Sequence, residues 1–459
     1  MYLRRLRVQH LKLLRDVTLD FTNEDGSIRK WTVIIGKNGT GKSSLLQAVA
    51  LAAAGSLQVN TLAGRTVGHL RDRRSQRPMQ IEADFDLDPV DALPDWNPNV
   101  AKRVAAPLLL RSFVELGDGE TTIRASASLP ADPSPAAAGL LDAARSRNLR
   151  GWFVAGYGVA RFLPDTGRSV TLDRPSIERM LPLFDATTTL TSTNFSRYFG
   201  DDEEKSRMFH RVLKHAMLHV EDLLPDIIDL ELRGMGGVTK PGELLERDRF
   251  VQKVGREDLK VPGLALAHGY QCTIAWLADL VGHVLLESER PVEPEEMEGV
   301  VLVDEIDLYL HPVWQATLIP ALRRTFPKMQ FIVTTHSPVV LSGVAPHEVV
   351  RVASYGDAGD VVEVVHHPET GELVPAAALQ GSGIRPDPRM MTGSEIFREH
   401  FGLMDPTPNR MGDVLRRYTA IANDPFRTEG EHQEMLRLRG LLKENDLADL
   451  PKAERRRKA

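Results

Sequence analysis

Two stretches of the chain carry residues spaced for chemistry. Residues 31–44 read WTVIIGKNGTGKSS, where an apolar run meets Gly36, Lys37, Asn38, Gly39, Thr40, Gly41, Lys42, Ser43 and Ser44. The spacing G-x-x-x-x-G-K-S is that of a phosphate-binding loop. Its glycines let successive backbone N–H groups turn inward around an anion, and the helix expected over 44–54 adds the positive end of its dipole. In this reading Lys42 reaches the β- and γ-phosphates of ATP and the Ser43 hydroxyl binds Mg²⁺. The second stretch, VLVDEIDLYLHP over 301–312, drives an apolar strand into Asp304, Glu305 and Asp307. Carboxylates resist crowding and burial unless they sit where a strand emerges at a ligand site. Asp304 is expected to hold the same Mg²⁺. Glu305 is expected to orient and deprotonate the water that attacks the γ-phosphate. Asp307 suits helix capping or a turn as well as it suits catalysis.

A third piece, KMQFIVTTHSP over 328–338, ends an apolar strand in His336, one βαβ step after Asp304. That position suits a γ-phosphate sensor, and a satisfied surface histidine is the alternative. Residues 264–271, LALAHGYQ, open an apolar helix in which Cys272 and Trp276 are expected to pack inward.

The elements that must hold these residues can be read in outline. Residues 1–36 read as three strands. Residues 79–88 and 110–128 alternate with period two around a DG turn and predict an antiparallel arm. A Pro/Ala-rich loop covers 130–140, and a helical insertion covers about 166–225. Its His210, His215 and His219 fall near helical spacing, which a packed or solvated face explains better than a metal site. Residues 351–366 read as a hairpin, and 392–447 contain three helical pieces that suit either a cap or a docking surface. No sustained heptad pattern runs between Ser43 and Leu266, which excludes long coiled-coil arms. The expected domains are 1–165, 166–250, 251–350 and 351–459.

Bulk properties exclude other classes. The chain has 459 residues, 57 Lys plus Arg against 63 Asp plus Glu, and a net charge of −6. It has no global attraction for nucleic acid, so any DNA contact must use a local patch. Arg71, Arg73, Arg74 and Arg77 form such a cluster, read either as a solvated loop or as phosphate ligands. The single cysteine, Cys272, forbids an internal disulfide and fits a cytoplasmic protein. No apolar run is long enough to cross a bilayer, and the charged, alternating N-terminus is not a signal peptide.

Taken in order, GKNGTGKS, LAHGYQ, VLVDEIDLYLHP and TTHS resemble the ABC-type ATPases of the RecF and SMC group over roughly residues 1–350. The resemblance implies an α/β fold of the P-loop head type, with an antiparallel β arm, a helical insertion and a helical C-terminal extension. It implies ATP and Mg²⁺ as cofactors. It places Ala267, His268 and Gly269 at the signature motif, which contacts the γ-phosphate held by a partner subunit, so that ATP joins two heads into a homodimer or higher oligomer. It puts Leu310 and His311 at the D-loop. The signature's usual serine is Ala267 here, which implies slow turnover. The segment WFVAGYGVARF, 152–162, with Tyr157 and Arg161, is either the counterpart of the Q-loop or a plain strand and turn.

No Asp-x-Asp pair follows residue 350, so a TOPRIM nuclease of the OLD type is not expected; Asp84-Phe85-Asp86 reads as an exposed strand face. The text from VLVDEID to TTHSPVVLS, followed by helices, is similar to the standalone RecF-like ATPases of the PtuA kind in Septu anti-phage systems. Those work beside a separate HNH-type nuclease. Three functions follow from the resemblance: an ATPase regulating a nuclease in trans, a DNA repair or recombination ATPase, and a nucleotide-gated scaffold with vestigial hydrolysis.

Overall fold

In the computed structural model the apolar runs ahead of each motif fold as strands of one sheet. The structure describes residues 1–87, 108–130, 141–142, 152–161, 172–191, 195, 199, 203–219, 224, 227–231, 249–288, 292–356, 359–379, 386–402 and 410–445. The strands β3 (Trp31–Ile35), β11 (Gly299–Val303) and β12 (Met329–Thr334) are buried along their whole length. Continuous burial is what a parallel sheet covered on both faces demands, and it explains why these runs do not alternate. They lie parallel in the order β3-β12-β11-β7, with β7 being Val154–Tyr157. The register aligns Val33 with Val333, Val333 with Val303 and Val303 with Tyr157, so the C-terminal ends share one edge.

The same sheet, twelve strands among the described residues, continues through an antiparallel part. There β1 (Tyr2–Leu11) pairs with β2 (Leu14–Asp20) and with β4 (Met79–Leu87). Beyond β4 come β5 (Leu108–Leu116) and β6 (Arg124–Ser128), the arm that the alternating sequence predicts. The hairpin β13 (Val349–Tyr355) and β14 (Asp360–His366) joins the two parts: β13 runs parallel to β3, and β14 meets β2. Helix α1 (Lys42–Ala54) lies in the space they enclose, buried almost throughout. Its core includes Val300, Leu302 and Ile332 from one face of the parallel strands and Leu6, Val8, Ile81 and Phe85 from the antiparallel ones. On the sheet's other face Tyr157 meets Trp276 of α3 (His268–Glu287) and Phe331 meets Phe326 at the end of α4 (Pro312–Thr325).

One expectation is corrected here. Asp84 and Asp86 are buried, not exposed. Arg111 on β5 grips Asp84 at 2.7 Å and Arg4 on β1 grips Asp86 at 2.8 Å, so cross-strand arginines cover the carboxylates. Of the insertion expected over 166–225, the described part holds α2 (Glu203–Lys214) and short helical turns. His210 lies on it, buried, with its pKa pushed down to about 4 by that burial. No group of three or more His, Cys, Asp or Glu placed to hold a metal occurs among the described residues. The Pro/Ala-rich segment after residue 130 lies outside the described residues. A second sheet, β8 (Ile227–Glu231), β9 (Arg249–Val254) and β10 (Glu257–Pro262), was not expected.

The chain divides into two compact units, 1–391 and 392–459. In the second, helices α5 (Gly393–Glu399), α6 (Arg410–Asn423) and α7 (Glu429–Glu444) correspond to the three helical pieces. Thr392 with Glu395 and Thr428 with Glu431 form capping boxes that start α5 and α7. Tyr418, Ile421, Ala422, Met435 and Leu442 form the small core between α6 and α7. No described helix is long and apolar enough to cross a membrane.

Gln330 is a fully buried amide in the apolar strand β12. Its Oε1 accepts from the Leu3 N–H at 2.7 Å, and its Nε2 donates to the carbonyls of Leu3 at 2.9 Å and Arg29 at 3.2 Å. It thereby ties β1 to a strand that is not its neighbour in the sheet. Gln330→Leu should strand the buried Leu3 groups and cost about 2–4 kcal/mol, read as a fall in thermal midpoint; an unchanged midpoint would show that Gln330 does not secure this closure.

Candidate functional site

The glycines of the loop answer to sterics. A Cβ on Gly36 would lie 2.3 Å from the Val352 carbonyl oxygen of β13, so the loop leaves β3 pressed against that strand. Gly41 caps α1 with φ 80°, a left-handed conformation that glycine adopts without penalty. Between them, Lys42 Nζ donates to the carbonyls of Gly36 and Lys37, both at 3.0 Å. Burial lowers the pKa of this ammonium, while Asp304 and Glu305 pull it back up. The lysine is thus folded over the loop, its charge opposite two carboxylates.

Asp304 collects the strand ends. Its Oδ2 accepts from the Ser43 hydroxyl at 2.6 Å and its Oδ1 accepts from the Thr334 hydroxyl at 2.6 Å. Its own N–H donates to the Tyr157 carbonyl at 2.8 Å. One residue therefore joins α1, β12, β7 and β11. The Ser43 hydroxyl and the Asp304 carboxylate side by side are hard oxygen ligands of the kind Mg²⁺ takes, so the residues present fit that ion.

The chain then turns sharply. Glu305 has φ 47° and Tyr309 φ 65°, both left-handed and neither a glycine. Such conformations cost of order 1–3 kcal/mol each and persist only where neighbours enforce them. The Glu305 N–H donates to Thr334 Oγ1 at 2.7 Å, and the Ile306 N–H donates to the Thr334 carbonyl at 3.0 Å. The Glu305 carbonyl accepts from the Leu308 N–H at 3.0 Å and from Arg161 Nη2 at 2.6 Å. Asp307 accepts from the Thr335 hydroxyl at 2.5 Å, which gives it a turn-stabilising contact.

His336 follows Thr335 at the same edge. Burial, and then the Lys42 charge, lower its pKa below the ordinary 6.5, so it is neutral at pH 7 and offers one N–H donor and one acceptor. Next to it, Ser337 caps a short helix, Pro338–Leu341, and donates to Gln315 Oε1 at 2.6 Å. Gln315 Nε2 in turn donates to the Leu310 carbonyl at 2.9 Å. The side chain of Gln315 thus spans from the D-loop position to the histidine-bearing strand end.

Ala267, His268 and Gly269, expected at the signature motif, sit on a separate element. Ala267 and His268 are exposed at the start of α3, whose N-cap has no side-chain hydrogen bond. Gly269 is buried against the turn, where a Cβ would fall 2.5 Å from the Tyr309 carbonyl oxygen. His311 caps α4, its Nδ1 accepting from the Val313 N–H at 3.4 Å. In the segment 152–161, Tyr157 is buried and donates to Asp279 Oδ2 at 3.2 Å. Two arginines of the basic cluster already have carboxylate partners: Arg71 pairs with Asp118, and Arg74 with Asp72 at 2.9 Å.

Sequence reasoning assigned no role to Thr334 or Gln315. Thr334 could have been suspected as a second hydroxyl at the end of an apolar strand. Nothing in the text marks Gln315, which stands in an ordinary amphipathic helix.

The chain is similar to several known proteins. A family model described as an AAA ATPase domain matches residues 1–215. A second AAA-domain model, of the AbiEii type IV TA system kind, matches residues 273–342. The Septu protein PtuA of Bacillus mycoides (strain KBAB4) is 23% identical over 452 residues, 96% of this chain and 50% of that protein. The chain resembles AAA-type ATPases and PtuA. A shorter stretch, 142 residues or 30% of this chain, is 35% identical to 24% of the "Retron Ec83 probable ATPase" of Escherichia coli. The chain thus spans half the length, or less, of these relatives. Among solved structures, an SMC head bound to the C-winged helix domain of ScpA covers 82% of this chain and 99% of its own, with 16% identity and a TM-score of 0.48.

Thr334→Val should leave the Glu305 N–H without its acceptor and deprive Asp304 of a donor, costing about 1–3 kcal/mol of stability. Thr334→Ser, which keeps the hydroxyl, should cost much less. Thermal melts of the two variants compare them directly, and equal losses would mean that the methyl group, not the hydroxyl, is what matters.

Proposed function

We propose that this chain binds ATP with Mg²⁺ and hydrolyses it slowly, that the nucleotide holds two copies head to head, and that this cycle regulates a separate nuclease in anti-phage defence. The observation that carries the reading is the junction at Asp304. A phosphate-loop serine, a strand-end carboxylate and a strand-end threonine hydroxyl meet beside a lysine folded over a glycine loop. The similarity to PtuA and to a retron ATPase supports the defence setting. The PtuA-like text of the sequence supports a nuclease partner of the HNH type.

In this mechanism the backbone N–H groups of residues 36–43 and the Lys42 ammonium bind the phosphates. Ser43 and Asp304 would hold Mg²⁺, which would supply positive charge against the phosphates. Glu305 holds a water in line with the γ-phosphorus and accepts its proton as the new P–O bond forms and the bond to ADP breaks. Neutral His336 donates to the γ-phosphate and reports its presence. Ala267, His268 and Gly269, exposed or packed on the 309 turn, serve the nucleotide of the partner copy. Their backbone N–H groups replace the missing serine hydroxyl, and slow turnover follows from the weaker set of donors.

Lys42→Ala should abolish binding of a fluorescent ATP analogue. Glu305→Gln should keep binding, slow phosphate release by at least about a hundredfold, and raise the share of ATP-held dimer or higher oligomer seen by native mass spectrometry. Normal phosphate release by Glu305→Gln would contradict its assignment as the base. Purification with ATP and Mg²⁺ from cells that make the protein should recover a nuclease in fixed ratio; recovery of this chain alone would remove the nuclease partner from the proposal.

A further inference from the structure

Beside the site, Arg161 is a buried charge that the proposed cycle gives no task. Arg161 lies just beyond β7 and is 1% exposed. Its Nη2 donates to the Glu305 carbonyl, while its Nε and Nη1 are buried with no hydrogen-bond partner among the described residues. Burial lowers its pKa, and Cys272, Asp304, Asp307 and Glu305 oppose that shift. An arginine remains protonated in a protein, so this is a buried cation among the carboxylates of the turn. An apolar side chain of similar size would fill the space at less cost, which points to a reason other than packing.

The mount of Arg161 is rigid. Tyr157 at the end of β7 accepts from the Asp304 N–H through its carbonyl. A Cβ on Gly158 would lie 2.2 Å from the Pro182 carbonyl oxygen, so the turn is pressed on the 180–183 segment. From that base the guanidinium reaches the carbonyl of Glu305, one of the turn's two left-handed residues. Thr334 holds the N–H of Glu305 and Arg161 holds its C=O, which clamps the residue at both ends and leaves its side chain between. The other contact to that carbonyl, from Leu308, belongs to the turn itself and cannot tie it to the rest of the fold.

We infer that Arg161 is the positioning residue of the hydrolytic turn, fixing Glu305 in its left-handed conformation from the β7 side so that the carboxylate is held ready for the attacking water. The inference rests on the reading of Glu305 as the base, although the clamp itself does not. It assigns the segment 152–161 a role carried by a cation on a backbone carbonyl.

The test uses the full chain with Arg161→Met and Arg161→Lys. Hydrogen exchange without nucleotide is read at the amides of Ile306, Leu308 and Leu310, which are bonded across or within the turn. Arg161→Met should speed exchange there by about tenfold or more and leave α1 unchanged. With Mg²⁺ and ATP, its kcat should fall by about tenfold or more, while KM and affinity for a fluorescent ATP analogue stay within about threefold. Arg161→Lys, which keeps a charged donor, should recover part of the kcat and part of the protection; it carries the test alone if the methionine variant does not fold. Unchanged exchange in the turn, or a kcat within about threefold of wild type, overturns the inference. A loss of nucleotide affinity at constant kcat also overturns it, because Arg161 would then be a binding group. Absence of phosphate release from the wild type defeats the ATPase reading instead, and the exchange measurement still decides whether Arg161 holds the turn.

Discussion

The site depends on one carboxylate accepting two hydroxyls. Asp304 can be buried at the end of an apolar strand because Ser43 and Thr334 each give it a hydrogen bond at 2.6 Å and Lys42 places a positive charge nearby. An isolated buried carboxylate would be expelled or protonated. The parallel register of β3, β12 and β11 brings these groups to a common edge, and the closing of the sheet around α1 keeps that register in place. The fold and the proposed chemistry therefore share a single constraint: the strand ends must stay aligned for Asp304 to stay buried with both carboxylate oxygens hydrogen-bonded.

The turn that follows converts this alignment into a device with two sides. Glu305 faces the nucleotide side in the proposed reading, and four residues later Tyr309 presents its carbonyl to Gly269 at the signature helix. Both have left-handed backbones, a local cost that neighbouring contacts must offset. Gln315 adds a second link, from the Leu310 carbonyl to Ser337 beside His336. In the proposed reading, the γ-phosphate position is thus linked by short contacts to the start of α3, which serves the partner copy's nucleotide.

Much of this was legible in the sequence because the chemistry there is local. The glycine spacing of 36–43 and the carboxylates after Val303 announce themselves, since both are needed within a few residues of a strand end. The antiparallel arm showed through period-two alternation. What stayed hidden depends on pairing across distance. Asp84 and Asp86 look solvated until Arg111 and Arg4 are seen opposite them. Gln330 looks like a stray polar residue until it meets Leu3. Thr334, Gln315 and Arg161 act through backbone atoms of other segments, and no spacing rule records which carbonyl a side chain will reach. The sheet of β8, β9 and β10 was missed because its strands are short and interspersed with charge, and β10 is largely exposed.

The central claim is that the strand-end cluster around Asp304 is the site of Mg–ATP. A crystal structure with Mg²⁺ and a non-hydrolysable ATP analogue tests it most directly. The account predicts the β- and γ-phosphates against the amides of residues 36–43, Lys42 Nζ moved from the Gly36 and Lys37 carbonyls to phosphate oxygens, and Mg²⁺ between Ser43 and Asp304. Nucleotide bound elsewhere, or bound here with the direct Ser43–Asp304 hydrogen bond intact and no cation between them, would contradict it.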